Sequence, residues 1–155
     1  MTTALSDYLE SGLLHHIFKG YSFPKPRNIV IALCSDVPSE SDTGETIPEI
    51  PSGIDNVLTG YSRVELGDPA INGDDSWVYS IEDHDAGSGL IKNSGSIVFN
   101  TALVDWGPVS GIAITDHEDF GSGNLLMYSQ LSNPRIIYKG DTVKFDVTNL
   151  QIKFD

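Results

Sequence analysis

The chain has 155 residues with 22 Asp or Glu against 9 Lys or Arg, which gives a formal net charge of −13. Such a charge disfavours contact with nucleic acids and with anionic membranes, and we expect neither as a partner. Apolar residues make up 39% of the sequence, while 15 glycines and 8 prolines favour a loop-rich β protein over a helical bundle. We expect residues 1–155 to form a single domain with one core.

An amphipathic helix over residues 4–18 is the first predicted element. Leu5, Leu9, Leu13 and Ile17 recur on one stripe at helical spacing, with polar residues off it. We expect this stripe to pack on the rest of the chain or on a neighbouring subunit. Gly12 weakens the middle of the helix, so the stability of the helix must come from packing.

A central strand is predicted at 28–34, where both faces are apolar. Cys34 is the only cysteine and is expected to be a buried small hydrophobe rather than a nucleophile. The long loop 36–59 follows, with six acidic residues and no basic ones. Two interpretations of the loop are equally open: a solvated surface excursion, or an arm that reaches a neighbouring subunit.

The remaining sequence predicts further short strands separated by turns. The strands fall at 61–66, 77–82, 90–92, 96–99, 109–116, 123–131, 135–138, 142–147 and 150–155. Turns are predicted at 66–69 and 72–75. Together they indicate a mainly β fold, a jelly-roll-like β-sandwich over residues 28–155 beside the N-terminal helix. Trp106, Ile152 and Phe154 are expected to serve core packing or subunit contacts.

Two polar clusters resemble small metal or acid–base sites, one around His84 at 82–85 and one around His117 at 116–119. Both precede Gly-rich turns, where polar residues gather anyway, so a solvated turn is the favoured interpretation. Metal binding by Asp83-His84-Asp85 or Asp116-His117-Glu118 stays open. No nucleophile elbow, phosphate loop or dinucleotide motif is present. We therefore expect that the protein is not an enzyme and binds no cofactor. We assign no catalytic and no metal-binding residue.

An ordered set of short motifs resembles small virion proteins of tailed bacteriophages, which are commonly labelled tail-fibre-like. The set comprises Leu5-Ser-Asp-Tyr-Leu-Glu10, Leu13-Leu-His-His-Ile17, Phe23-Pro-Lys-Pro26, Ile29-Val-Ile-Ala-Leu33, Gly60-Tyr-Ser-Arg-Val64, Trp106-Gly107, Ile112-Ala-Ile-Thr-Asp116, Gly121–Leu126, Leu131, Pro134 and Gly140–Phe145. The order is kept across nearly the whole chain. The resemblance implies a β-sandwich module with an N-terminal helix, assembled in several copies on a virion and without catalytic residues.

The function expected from this resemblance is structural. Our leading prediction is a capsid cement or decoration protein that stabilises the shell as a symmetric homo-oligomer, with a trimer favoured. The alternatives are a tail-fibre or tail-tip component and a carbohydrate-binding module, the last because Trp77 and Trp106 could stack on sugars. Expected partners are other copies and the major capsid protein or tail proteins. We expect synthesis in the host cytoplasm and a place on the outer surface of capsid or tail.

Overall fold

A computed structural model describes residues 3–50, 56–79 and 89–153. Within these ranges the protein is mainly β, with short helices between the strands. In chain order the elements are β1 (Thr3–Leu5), α1 (Asp7–Lys19), β2 (Ile29–Cys34), α2 (Asn56–Thr59), β3 (Val64–Gly67), α3 (Pro69–Ser76), β4 (Trp77–Tyr79), β5 (Leu90–Asn93), β6 (Ile97–Val98), β7 (Gly107–Thr115), β8 (Leu125–Ile137), β9 (Lys144–Phe145) and β10 (Gln151–Lys153). None of these helices has the length and apolar character needed to cross a membrane.

The strands form antiparallel sheets. The largest has five strands in the order β1-β8-β7-β2-β3, and smaller sheets have the orders β10-β5-β4 and β6-β9. β2 is central, because it pairs with β7 from Val30↔Thr115 to Cys34↔Gly111 and with β3 on its other side. The prediction of a mainly β protein with an N-terminal helix and a central strand at 28–34 is therefore confirmed. Whether the smaller sheets complete a jelly-roll-like sandwich stays a prediction.

The core lies on both faces of the five-stranded sheet. Alternation along β2 directs Ile31 and Leu33 to the larger apolar cluster and Ala32 and Cys34 to a smaller one. The larger cluster also receives buried side chains from the smaller sheets and the loops beside them: Ile97, Phe99, Trp106, Leu150 and Ile152. The smaller cluster is covered by Ile47 from the acidic segment.

The helix begins later than the sequence predicts. Residues 4 and 5 belong to β1, which pairs with β8 through Ala4↔Tyr128 and Leu5↔Met127. Ser6 then caps α1, because its side-chain oxygen accepts a hydrogen bond from Leu9 N. Helical spacing alone could not separate Leu5 from the helix, since strand pairing with a distant segment decides its conformation.

Two further boundaries also differ from the prediction. Helix α3 occupies 69–76, where two turns were expected, because Asp68 accepts a hydrogen bond from Ala70 N and Pro69 occupies the first helical position. The strands predicted at 123–131 and 135–138 are one strand, β8. Its residues 131–134 lie opposite Ser110 alone, between the pairs Gly111↔Gln130 and Val109↔Arg135, and so form a special bulge of four residues against one.

The acidic segment 36–50 packs against its own chain. Ser35 N donates to Pro48 O at 2.8 Å, Gly44 N to Gly123 O at 2.9 Å, and Ile50 N to Leu33 O at 3.1 Å. The segment is thus attached to its own chain, although Glu40 and Glu45 are exposed, and whether it also reaches a neighbouring subunit stays a prediction. The predicted loop also contains α2 at its end, and its residues 51–55 lie outside the described part.

A buried ion pair fixes this segment. The Arg63 side chain is 0% exposed and the Glu49 side chain 2%. Arg63 Nε donates to Glu49 Oε1 at 2.9 Å and Nη2 to Glu49 Oε2 at 2.7 Å, a bidentate arrangement. The remaining donors reach the carbonyl oxygens of Gly44 (2.9 Å), His117 (2.8 Å) and Ser122 (2.9 Å). Every guanidinium nitrogen is therefore satisfied.

Tyr61 extends the pair into the core. Its hydroxyl donates to Glu49 Oε1 at 2.7 Å and accepts from Leu33 N at 3.1 Å. Its ring lies 5.4 Å from that of Trp106 and 6.2 Å from that of Phe99. Burial, and next the charge of Glu49, raise the pKa of Tyr61 well above its ordinary value.

Breaking the ion pair from one side is expected to be strongly destabilising. Arg63→Met should lower the free energy of unfolding by about 3–5 kcal/mol, because Glu49 is left buried without its cation. Chemical denaturation measures this loss, and Glu45→Gln, exposed in the same segment, is the control that should stay within about 0.5 kcal/mol. The double variant Glu49→Leu/Arg63→Met should recover part of the loss. A loss below about 1 kcal/mol for Arg63→Met contradicts this role of the pair.

Stability is expected to fall as the pH rises above about 9. Burial, and next the charge of Glu49, raise the pKa values of Cys34 and Tyr61 above 9.0 and 10.0 respectively, so both groups stay protonated in the fold. The unfolded chain releases these protons, and each release favours unfolding by about 1.4 kcal/mol per pH unit. Tyr61→Phe should therefore flatten the decline between about pH 10 and 12 relative to Leu150→Ala, a destabilised variant that keeps Tyr61. Urea denaturation at each pH measures the free energy of unfolding. An equal decline with pH in the two variants contradicts the prediction.

Candidate interaction surface

Helix α1 is attached to the rest of the chain mainly at its start. Ser6 is buried, its N–H donates to Leu126 O at 3.0 Å, and its hydroxyl donates to Leu125 O. Asp7 N donates to Glu40 O at 2.8 Å, which ties the helix to the acidic segment. Leu9 packs against the core from a half-buried position. The first turn of α1 is thus fixed by the edge of the five-stranded sheet.

The chain after α1 folds back along the helix. Gly20 ends the helix in the left-handed conformation, with φ of 69°. The Phe23 ring then lies over Gly12, where a Cβ atom would come within 2.3 Å of the ring. Phe23 also contacts Tyr8, with ring centroids 5.6 Å apart. The glycine that weakens the helix intrinsically therefore makes room for the aromatic ring that supports it.

The second half of α1 presents an apolar stripe to solvent. Leu14 is 55% exposed, Ile17 66% and Phe18 78%, at the spacing i, i+3, i+4 of one helix face, and Tyr21, 64% exposed, follows directly. We call Leu14, Ile17, Phe18 and Tyr21 the helix stripe. Contiguous exposed apolar side chains of this kind mark interaction sites more often than isolated ones do.

Acidic residues are few in the sequence around the helix stripe, although Glu10 lies four residues before Leu14 on the same helix face. Residues 11–35 contain no Asp or Glu, although the whole chain has 22. His15, His16 and the exposed Lys19 lie among the stripe residues. Ion pairs among the described residues involve Arg63, His117 and Lys144, so Lys19 is left without a carboxylate there. The stripe thus lies between the acidic first turn of α1 and Lys19 at its end.

Of the residues predicted for core packing or subunit contact, Leu5 and Leu9 pack against the larger core cluster, and Ile17 does not. Leu5, Leu9 and Leu13 are half-buried, whereas Ile17 is exposed. Trp106 and Ile152 belong to the larger core cluster, and Phe154 lies outside the described residues. Whether any of them contacts a neighbouring subunit stays a prediction. The sequence reasoning missed Leu14 and Phe18, although their spacing to Ile17 signals a second helix face.

An open groove of about 520 Å³ runs along β1 and β8. It is lined by Ala4, Val37, Tyr128, Ser129, Gln130, Leu131, Ser132 and Pro134, and we call it the β1–β8 groove. Burial, and then the charges of Glu40, Glu10, Asp7 and Asp42, raise the pKa of Tyr128. The groove therefore combines apolar side chains with the polar side chains of Ser129, Gln130 and Ser132, and carboxylates lie near Tyr128.

A second apolar surface surrounds α2. Val57 is 79% exposed, Leu58 66%, Leu103 50% and Tyr138 56%. Leu103 N donates to Thr59 O at 3.0 Å, and Lys139 N donates to Asp105 Oδ1 at 2.8 Å. Helix α2, residues 103–105 and residues 138–139 therefore lie side by side. Exposed apolar side chains thus occur around α2 as well as on the helix stripe.

The cluster around His117 forms a turn. Asp116 accepts hydrogen bonds from Asn124 N at 2.6 Å and Asn124 Nδ2 at 2.8 Å, and the His117 carbonyl accepts from Arg63. No group of three His, Cys, Asp or Glu side chains able to hold a metal occurs within residues 3–50, 56–79 and 89–153. The cluster around His84 lies outside these ranges.

The two tryptophans offer little support for sugar stacking. Trp106 is 4% exposed, and its Nε1 donates to Thr59 O at 2.9 Å. Trp77 packs against the larger core cluster from a partly buried position. The indole of Trp106 is thus unavailable to a glycan, which removes one of the two side chains on which that interpretation depends.

Comparison with known proteins gives one family. The family model described as "Podophage GP4 fiber I protein gp80" matches residues 4–153, nearly the whole chain. A search of curated proteins finds no match.

The helix stripe is expected to contribute nothing to the stability of the single chain. Ile17→Ser/Phe18→Ser should change the free energy of unfolding by less than about 0.5 kcal/mol, because both side chains are exposed and their helix propensities are similar to that of serine. Leu9→Ala should cost about 1–2 kcal/mol, less than a fully buried leucine, because Leu9 is only half-buried. Urea denaturation at low protein concentration measures both. A larger loss for the stripe variant than for Leu9→Ala contradicts the assignment.

Proposed function

Since the chain belongs to the podophage GP4 fiber I protein gp80 family, it is a structural protein of a tailed-phage virion, and we propose that it is a subunit of a tail fibre. The observation that carries the proposal is the family match over residues 4–153, whose description specifies a fibre. The prediction of a capsid cement protein gains no support from this match. The alternative interpretation, a tail-fibre component, fits it better.

The surface of the chain supports a role in assembly. Exposed apolar side chains lie on the helix stripe and around α2, and each group suits contact with another protein surface. Several copies held by such contacts reach strong attachment even when each contact is weak. We therefore propose a homo-oligomer bound to other tail proteins, on the outer surface of the virion.

The chemistry of the chain supports a non-enzymatic role. Arg63, Glu49 and Tyr61 form a hydrogen-bonded network of ionisable groups, and all three are buried in the fold rather than open to a substrate. The net charge of −13 argues against nucleic acid as a partner. The carbohydrate-binding alternative has no specific contact in its favour.

The location on the particle tests the fibre proposal. Antibodies against this chain, labelled with gold, should bind the tail end of virions that carry it, and the copy number per particle should be far below that of the major capsid protein. Particles that have lost their tails are the matched control and should lose the label. Label spread over the shell of tailless particles, at high copy number, supports a cement protein instead.

A further inference from the structure

A cleft of about 810 Å³ lies between the end of β8 and the segment that contains β9. It is lined mainly by residues 131–137 and 141–145, together with Val109 and Asn149, and we call it the β8–β9 cleft. Its size falls within the range of about 300–1,000 Å³ typical of ligand-binding clefts. Apolar and polar side chains contribute to the lining in similar numbers. The cleft therefore suits a ligand that is both polar and apolar.

Arg135 lies on the core-facing side of β8. Val109 is its register partner and Ile137 follows two residues later, so the three side chains share one face of the sheet. Val109 and Ile137 are buried in the larger core cluster, whereas Arg135 is exposed. Within the described part of the chain, its guanidinium forms no hydrogen bond and no ion pair. The cleft thus presents an unpaired cation beside an apolar floor.

Two asparagines reach the cleft from irregular backbone. Asn133 belongs to the four-residue bulge of β8, and bulges re-aim side chains next to functional sites. Asn149 follows Thr148, a β-branched residue in the left-handed region with φ of 67°. Thr148 N donates to Asn93 O at 3.0 Å, which holds this strained turn in place. Strained residues concentrate at binding sites, and neither Asn133 nor Asn149 has a side-chain hydrogen bond to any described residue.

These free groups match the chemistry of an acidic sugar. An amide side chain both donates and accepts hydrogen bonds, as sugar hydroxyl groups do, and a guanidinium binds a carboxylate through two parallel hydrogen bonds. The half-buried ring of Phe145 adds apolar surface for the C–H groups of a sugar ring. The other charged side chains of the lining already have partners. Lys144 pairs with Asp146 at 2.6 Å, and Asp141 accepts from Tyr138 N at 2.9 Å.

An extended peptide fits the cleft less well. A peptide that adds a strand to a sheet needs unpaired backbone groups in regular order along the edge. The bulge at 131–134 interrupts that order, and Pro134 has no N–H to donate. Recognition at this cleft therefore depends on side chains, which suits a saccharide better than a strand.

We propose that the β8–β9 cleft binds an acidic saccharide, with Arg135 on the carboxylate of the sugar and Asn133 and Asn149 on its hydroxyl groups. The site includes neither tryptophan. The proposal rests on the fibre function only for the source of the sugar, which is the surface of the host cell.

The test is isothermal titration calorimetry of the purified chain with a galacturonic acid hexamer as the acidic probe. A glucose hexamer is the neutral probe, and hexaglutamate is the acidic peptide probe. Salt at about 0.15 M screens the net charge of −13 beyond about 8 Å, so the contacts in the cleft determine the result. The acidic saccharide should bind at least about tenfold more tightly than either of the other probes, because only it satisfies both the guanidinium and the amides.

Variants locate the binding in the cleft. Arg135→Gln should weaken binding of the galacturonic acid hexamer at least about tenfold, because it removes a charge-assisted contact. Asn133→Ala/Asn149→Ala should weaken it to a similar extent. Lys139→Gln is the matched control, because it removes the same charge from an exposed residue that does not line the cleft, and it should stay within about twofold of the parent. Circular dichroism verifies that each variant is folded.

Four results overturn the proposal: no binding of the galacturonic acid hexamer, equal binding of either other probe, an equal loss in Arg135→Gln and Lys139→Gln, or an amide variant that binds as the parent does. An Arg135→Gln chain that binds unchanged but aggregates also overturns it, since the inward-pointing charge then serves to protect the edge of β8. The virion labelling is independent, so a chain found on the tail that binds no saccharide keeps the fibre function and loses the cleft proposal.

Discussion

The buried pair of Arg63 and Glu49 is the constraint on which the loops of this protein depend. Arg63, just before β3, joins Glu49 and Gly44 of the acidic segment to His117 and Ser122 of the turn between β7 and β8. Arginine keeps its charge at every accessible pH, so burial is tolerable only while all its donors have acceptors. One side chain thereby holds the start of β3, the acidic segment and the β7–β8 turn in a single arrangement, although these segments share little sheet pairing.

This arrangement also determines the shape of the groove. The acidic segment, once fixed by Glu49, places Val37 at the side of β8 and Glu40 beside the start of α1, where its carbonyl accepts from Asp7 N. Most of its acidic residues stay at the surface, because only Glu49 has a buried cation to neutralise it.

Local patterns predicted α1 and most of the strands, and contacts distant in sequence decided much of the rest. The apolar run of β2 and the spacing of α1 were readable because each depends on neighbours in sequence. The strand conformation of Leu5 and the burial of Glu49 were not, since they depend on Met127 and on Arg63 respectively. For the interaction surface, the spacing of Leu14, Ile17 and Phe18 was visible, but their exposure follows from how α1 is attached.

The attachment of α1 bears on how well its stripe can bind. An isolated helix of 13 residues is marginal in water, so its second half needs support that its own sequence does not provide. Ser6 fixes the first turn, Phe23 on Gly12 supports the middle, and Gly20 ends the helix at the stripe. None of these contacts covers Ile17 or Phe18. The helix is therefore ordered before any partner arrives, which lowers the entropic cost of association and lets a small apolar contact suffice.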